Sequence, residues 1–187
     1  MTKFILIGLV ILVVIGLYLI SVYNRLRRLK LGVKESFAAM DVFLKKRYDL
    51  IPNIVAAVKG YADHERGVFE QTAEARSRAM SAQTDEEKIR ANAALDDSIN
   101  QLIITAEAYP ELKADGGFLR LQQQLEAVEK DIANSRLYYN GNVKLYNSNI
   151  QTFPQVLVAG PFGYTEEPFF EAGAGERVAT QVFGDES

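Results

Sequence analysis

The chain has 187 residues, 48% of them hydrophobic, with 21 Lys/Arg against 24 Asp/Glu, one His and no Cys. Lack of cysteine excludes disulfides and thiolate metal sites, and the net charge of −3 lacks the basic footprint of a nucleic-acid binder. The charge is uneven: residues 1–50 carry nine Lys/Arg against three Asp/Glu, residues 51–153 eleven against fifteen, and residues 154–187 one against six.

Residues 4–24 form an uncharged, mostly apolar run that starts Phe4-Ile-Leu-Ile-Gly-Leu. A helix of about 20 apolar residues spans a hydrocarbon core of about 30 Å. A cleaved signal peptide would have a shorter apolar core and a small-residue cleavage site. Here Ser21-Val22-Tyr23-Asn24-Arg25 follows instead, so residues 1–24 are expected to be a retained transmembrane anchor. Arg25, Arg27, Arg28, Lys30 and Lys34 after the run outweigh Lys3 before it. That asymmetry predicts an N-terminus outside and a body in the cytoplasm, with Arg25, Arg27, Arg28 and Lys30 at the lipid headgroups. Tyr18 and Tyr23 suit an interfacial aromatic belt. The remaining 160 or so residues suffice for one domain.

Leu26, Leu29, Val33, Phe37, Met40, Leu44 and Ile51 recur at helical spacing with no breaker after the run, so one helix is expected to continue to about Tyr48. Pro52 has no N–H, so residues 47–53 are expected to kink or to turn tightly, the turn being favoured because the next segment needs a neighbour to pack on, with Asp49 as a cap, and Arg47, Tyr48, Asp49, Pro52 and Asn53 as a docking surface. A second helix is read through Ile54, Val58, Tyr61, Val68, Thr72, Ala75 and Ala79. Glu65 interrupts its seam: either the seam shifts to Ala62 and Phe69, which is favoured, or Glu65 meets a cation such as Arg76 or Arg136 from another helix. Thr84-Asp85-Glu86-Glu87 has the form of a capping box and opens a third helix through Ile89, Ile99, Leu102, Ile103 and Ala106, which stops at Tyr109-Pro110. After Asp115-Gly116-Gly117 the rhythm Phe118, Leu121, Leu125, Val128, Ile132, Tyr139, Val143, Tyr146, Ile150 marks the longest amphipathic segment. These features predict an all-α protein, an antiparallel four-helix bundle over residues 25–153 joined to the anchor. Residues 154–187 form an acidic tail with Phe162, Tyr164, Phe169, Phe170 and Phe183, which either packs back on its own bundle or docks on a neighbouring subunit, on another protein or at the lipid surface.

Tyr23-Asn24-Arg25-Leu26, Lys46-Arg47-Tyr48-Asp49-Leu50-Ile51-Pro52-Asn53, Val58-Lys59-Gly60-Tyr61-Ala62 and Glu107-Ala108-Tyr109-Pro110-Glu111-Leu112-Lys113-Ala114 resemble the LemA family, as do Tyr139-Asn140, Tyr146-Asn147 and Phe153-Pro154. The resemblance covers nearly the whole chain. It implies a bacterial inner-membrane protein with one N-terminal span and a helical-bundle body, no established reaction, and an association with magnetosome membranes or membrane metalloproteases. The chain departs from the family pattern at Gly141 and in Ala172-Gly173-Ala174-Gly175.

No catalytic, cofactor or metal constellation is legible. His64, the one histidine, sits among charged neighbours, where a solvated side chain is the expected reading; it cannot supply the paired Glu-x-x-His motifs of a di-iron bundle, no triad partners for it stand out, and a hydrolase using His64 and nearby carboxylates is the third reading. The expectation is therefore a non-enzymatic, membrane-anchored bundle that self-associates as a scaffold organising or remodelling the membrane, with Phe162, Tyr164, Phe169 and Phe170 as inter-subunit contacts. The alternative is an adaptor or sensor for a membrane protease or another envelope protein. Expected partners are membrane lipid, further copies of the chain and such an envelope protein.

Overall fold

A computed structural model describes residues 1–62 and 64–170. Its elements are α1 (Thr2–Lys59), α2 (Arg66–Ser81), α3 (Asp85–Glu107), α4 (Pro110–Lys113), α5 (Gly116–Gln151) and α6 (Val156–Ala159). The chain is all-α, with no strand among the described residues. Contacts divide it into two compact units that cut across the anchor, bundle and tail boundaries expected from sequence.

The first unit comprises Met1–Ala38 and Leu137–Phe169. It contains the only helix among the described residues that is long and apolar enough to cross a membrane, and its residues 4–15 and 17–20 are exposed. Past that run the seam read from sequence is buried: Leu26, Val33 and Phe37 on α1, Tyr139, Val143, Tyr146 and Ile150 on α5. Phe37 and Tyr139 meet edge to face at 5.4 Å, the arrangement that aromatic quadrupoles favour. Gly141 leaves α5 unbroken, with open space where a Cβ would stand.

The described part of the tail packs within the chain. Residues 164–169 have no strand partner, so side chains of α5 satisfy their backbone. Tyr146 donates to the Thr165 carbonyl at 2.8 Å, Tyr139 to the Pro168 carbonyl at 2.8 Å, and the Asn147 amide both donates to and accepts from the Glu167 backbone at 2.9 Å. Tyr164 lies 6.1 Å from the Tyr23 ring. Lys30 is paired with Glu167 at 3.1 Å. Ala172–Gly175 and Phe183 lie outside the described residues.

The second unit comprises Ala39–Arg136 together with Phe170. Here the later part of α1, then α2, α3 and the first part of α5 supply the four long helical segments of a bundle, with Leu44, Ile51, Ile54, Val58, Leu95, Leu102 and Ile132 in the core. The capping box forms: Thr84 accepts from the Glu87 N–H at 3.1 Å, and the Glu87 carboxylate accepts from the Gln83 and Thr84 N–H groups, which lowers its pKa. Asp115 Oδ1 accepts from the Phe118 N–H at 2.8 Å and so opens α5. At Glu65 the core shifts as expected, with Ala62 and Phe69 buried.

The turn expected at residues 47–53 is absent. Helix α1 runs through Pro52 to Lys59, and the reversal falls between the end of α1 and the start of α2 at Arg66. Pro52 leaves the Tyr48 carbonyl without its intrahelical donor. Arg76 Nε, on α2, donates to that carbonyl at 2.7 Å. Burial of Ile51, Ile54 and Val58 on one side, with Pro52 exposed on the other, holds the helix together. Asp49 is a mid-helix residue and caps nothing.

Candidate functional site

The second unit is organised around a buried guanidinium. Arg47 is 0% exposed. Its Nη1 pairs with the Asp96 carboxylate of α3 and with both Glu129 oxygens of α5, at 3.1 and 3.2 Å. Its Nη2 donates to Asn92 Oδ1 at 2.6 Å, and the Tyr48 hydroxyl donates to the same oxygen at 2.9 Å. Asn92 is held in place because its amide donates to the Lys88 carbonyl at 2.8 Å. Arg136 grips the second Asp96 oxygen at 2.7 Å and stacks over the Phe170 ring at 4.6 Å.

Two cations and two carboxylates therefore cancel at the centre of the unit. Burial works against the Arg47 charge, but Asp96 and Glu129 outweigh it and hold its pKa above the ordinary value. Burial pushes the Tyr48 phenol up, against the hydrogen bond to Asn92. A planar fork suits this position, since one side chain reaches acceptors on two other helices at once.

Above this network, α3 and α5 enclose a groove of about 760 Å³. Ile99, Ile103, Ile104 and Leu125 line it, with Asp97 and Glu126 joining Asp96 and Glu129 as its charged groups, and among the described residues no Lys or Arg lines it. Asp96 and Glu129 are neutralised from below, so Asp97 and Glu126 give the groove its negative sign.

The residues proposed as a docking turn do not act together. Arg47 and Tyr48 are interior, whereas Pro52 and Asn53 are exposed on the helix surface and Asp49 lines a smaller cleft of about 390 Å³. Arg25, Arg27 and Arg28 are exposed on α1. Tyr164 and Phe170 make contacts inside the chain rather than standing free for another subunit; Phe162 and Phe169 are exposed. His64 is exposed in the α1–α2 connection, and no three His, Asp or Glu residues gather as metal ligands among the described residues. Asn92, buried and central, was missed, although it stands on the rhythm Ile89, Asn92, Leu95, Ile99.

A family model described as LemA family matches residues 36–183. The chain belongs to the LemA family. Protein LemA of Metamycoplasma hominis is 24% identical over 156 residues, covering 83% of this chain and 71% of that protein. The matched residues include Arg47, Asn92, Asp96, Glu129 and both walls of the groove, whereas the apolar run precedes them.

Proposed function

We propose that this LemA-family chain is a non-enzymatic adaptor, held in the bacterial inner membrane by residues 1–24 with its body in the cytoplasm, which docks a basic amphipathic segment of a membrane protease or other envelope protein. The observation that carries this reading is the α3–α5 groove, with its isoleucine-lined floor and its Asp97 and Glu126 carboxylates. An amphipathic helix places apolar residues at i, i+3, i+4 and i+7, and Lys or Arg beside that stripe would meet the two carboxylates. The positive flank after the apolar run supports the orientation. The family is not known as an enzyme family, in line with a binding role.

The test is fluorescence anisotropy of a labelled 18-residue Leu/Lys amphipathic peptide against the full chain in nanodiscs. Each rim pair contributes up to about 1 kcal/mol, and charge reversal adds repulsion. The double variant Asp97→Lys, Glu126→Lys is therefore expected to weaken binding about tenfold or more, and added salt to do the same to the parent. Equal affinity for parent and double variant would refute the groove as the docking site. Orientation is checked separately with a reporter fused after Ser187, which should be active in the cytoplasm.

The scaffold reading keeps one supporting observation. Leu137, Tyr138 and Leu145 form an exposed stripe on α5 with Gly141 between them, a surface suited to a second copy. A chain that remains monomeric in nanodiscs at all concentrations would remove it.

A further inference from the structure

The first unit carries an apolar corner that the anchor alone does not explain. Residues 145–165 contain no charged side chain, an unusual length for a surface segment. Within it Phe153, Leu157 and Phe162 are 77%, 62% and 63% exposed, although Val158 and Ala159 between them are buried. The corner is therefore folded, with its large apolar groups turned outward.

Its height along α1 follows from the contacts. On α5, Tyr139 meets Phe37 and the Tyr146 ring meets Lys30, so α5 descends toward the apolar run as its numbers rise. After the corner the chain climbs again: Phe162 lies 5.0 Å from Tyr23, and Glu167 pairs with Lys30. The stretch between, from Thr152 to Phe162, is the bottom of this excursion, level with Tyr23 at the end of the uncharged run. Val22 is only 6% exposed, whereas the large apolar residues before it in the run are 44% exposed or more. The folded body thus reaches down over the last turn of the run.

We infer that the α5–α6 corner is a second membrane contact, in which Phe153, Leu157 and Phe162 insert into the lipid interface beside the exit of the span. The inference rests on the reading of residues 4–24 as membrane-spanning. The occupant is lipid rather than a protein because the corner is continuous with the apolar run through Tyr23 and Phe162, and Arg25, Arg27 and Arg28 stand exposed just above it at headgroup height.

The chain has no Trp, so single Trp substitutions report depth directly. F153W, L157W and F162W are made in the full chain, with L12W as a reference inside the run and L137W as a reference about 20 Å up α5 from the corner. Each is placed in nanodiscs of phosphatidylcholine and phosphatidylglycerol with plain or acyl-brominated chains. The expected result is bromine quenching and blue-shifted emission for F153W, L157W and F162W, and for L12W, with L137W unquenched. Quenching of L12W without quenching at any corner position overturns the inference and leaves the span standing. Blue-shifted but unquenched corner emission means a second protein copy covers it, which also overturns it. An unquenched L12W overturns the span and the inference together.

Discussion

Replacing Arg76 by Ala is expected to destabilise the fold only because Pro52 lies in the middle of α1. Tyr48 O is the acceptor that residue 52 would serve in an uninterrupted helix, and proline has no N–H to offer it. Arg76 Nε supplies the missing donor at 2.7 Å, and Tyr48 is buried. Leaving a buried acceptor unserved costs about 1–3 kcal/mol, and loss of a charged donor to a partly hydrated carbonyl belongs near 2 kcal/mol. In a Pro52→Ala background the alanine N–H reaches the same carbonyl, so Arg76→Ala should then cost less than about 0.5 kcal/mol, a coupling of about 1.5 kcal/mol. Pro52→Ala alone should stabilise the chain, since proline in a helix interior is about 3 kcal/mol less favourable than alanine. The assay is urea unfolding of the four proteins in one detergent, followed by tyrosine fluorescence and far-ultraviolet circular dichroism. An equal cost of Arg76→Ala in both backgrounds would refute the argument, as would a destabilising Pro52→Ala.

Arg47→Met should cost about 3 kcal/mol, the low end for breaking a buried ion pair, because Asp96 keeps Arg136 and Glu129 can rehydrate; Arg47→Lys should recover only part of this, since an ammonium cannot fork to Asn92, Asp96 and Glu129 together. A Lys variant as stable as the parent in urea would contradict that. Burial, helped by Glu167, pushes the Tyr146 phenol up to about 12 from 10.0. The fold then holds a proton that the unfolded chain has lost, so stability present below pH 10.0 should decline from there toward about 12. Tyr146→Phe should flatten that stretch of the curve, and identical alkaline profiles for parent and variant would refute the assignment. Gly141→Ala should gain about 0.5–1 kcal/mol, as nothing stands within 4 Å of the added Cβ; thermal unfolding that drops instead would show that the stripe is covered.

Periodicity made most of the helical fold legible. The seam Leu26, Val33, Phe37, Met40, Leu44 and Ile51 is buried as spaced, because apolar residues at helical intervals have no other way to leave water together. The capping box was legible for the same kind of reason, since its partners lie three residues apart. Pro52 misled because a local rule was applied where a distant residue decides: the donor that restores the Tyr48 carbonyl is 28 positions away. Arg47 misled in a related way. A charged residue following Lys45 and Lys46 reads as surface, and only the meeting of Asp96, Glu129 and Asn92 from two other helices makes its burial tolerable. Lys30 belonged by pattern to the basic flank, but an extended segment with no periodicity of its own brings Glu167 to it.

The buried network also explains how the groove can select a cationic partner. Four carboxylates in one cleft would repel one another and recruit protons or loose counterions. Arg47 and Arg136 remove two of them from the account that a partner sees, and they do so from inside the fold, where no competing anion reaches them. What remains outside is a pair of carboxylates, Asp97 and Glu126, beside an apolar floor that includes the exposed Ile104. Recognition then depends on a match between an apolar stripe and two charges, which a general polycation does not provide. By this logic Arg47→Met should act on the groove as well as on stability. With Arg47 gone, Arg136 alone opposes Asp96 and Glu129 and the groove becomes more negative, so a folded Arg47→Met chain should bind the basic peptide more tightly and more salt-sensitively than the parent. Weaker or unchanged binding by that variant would show that the network only supports the fold.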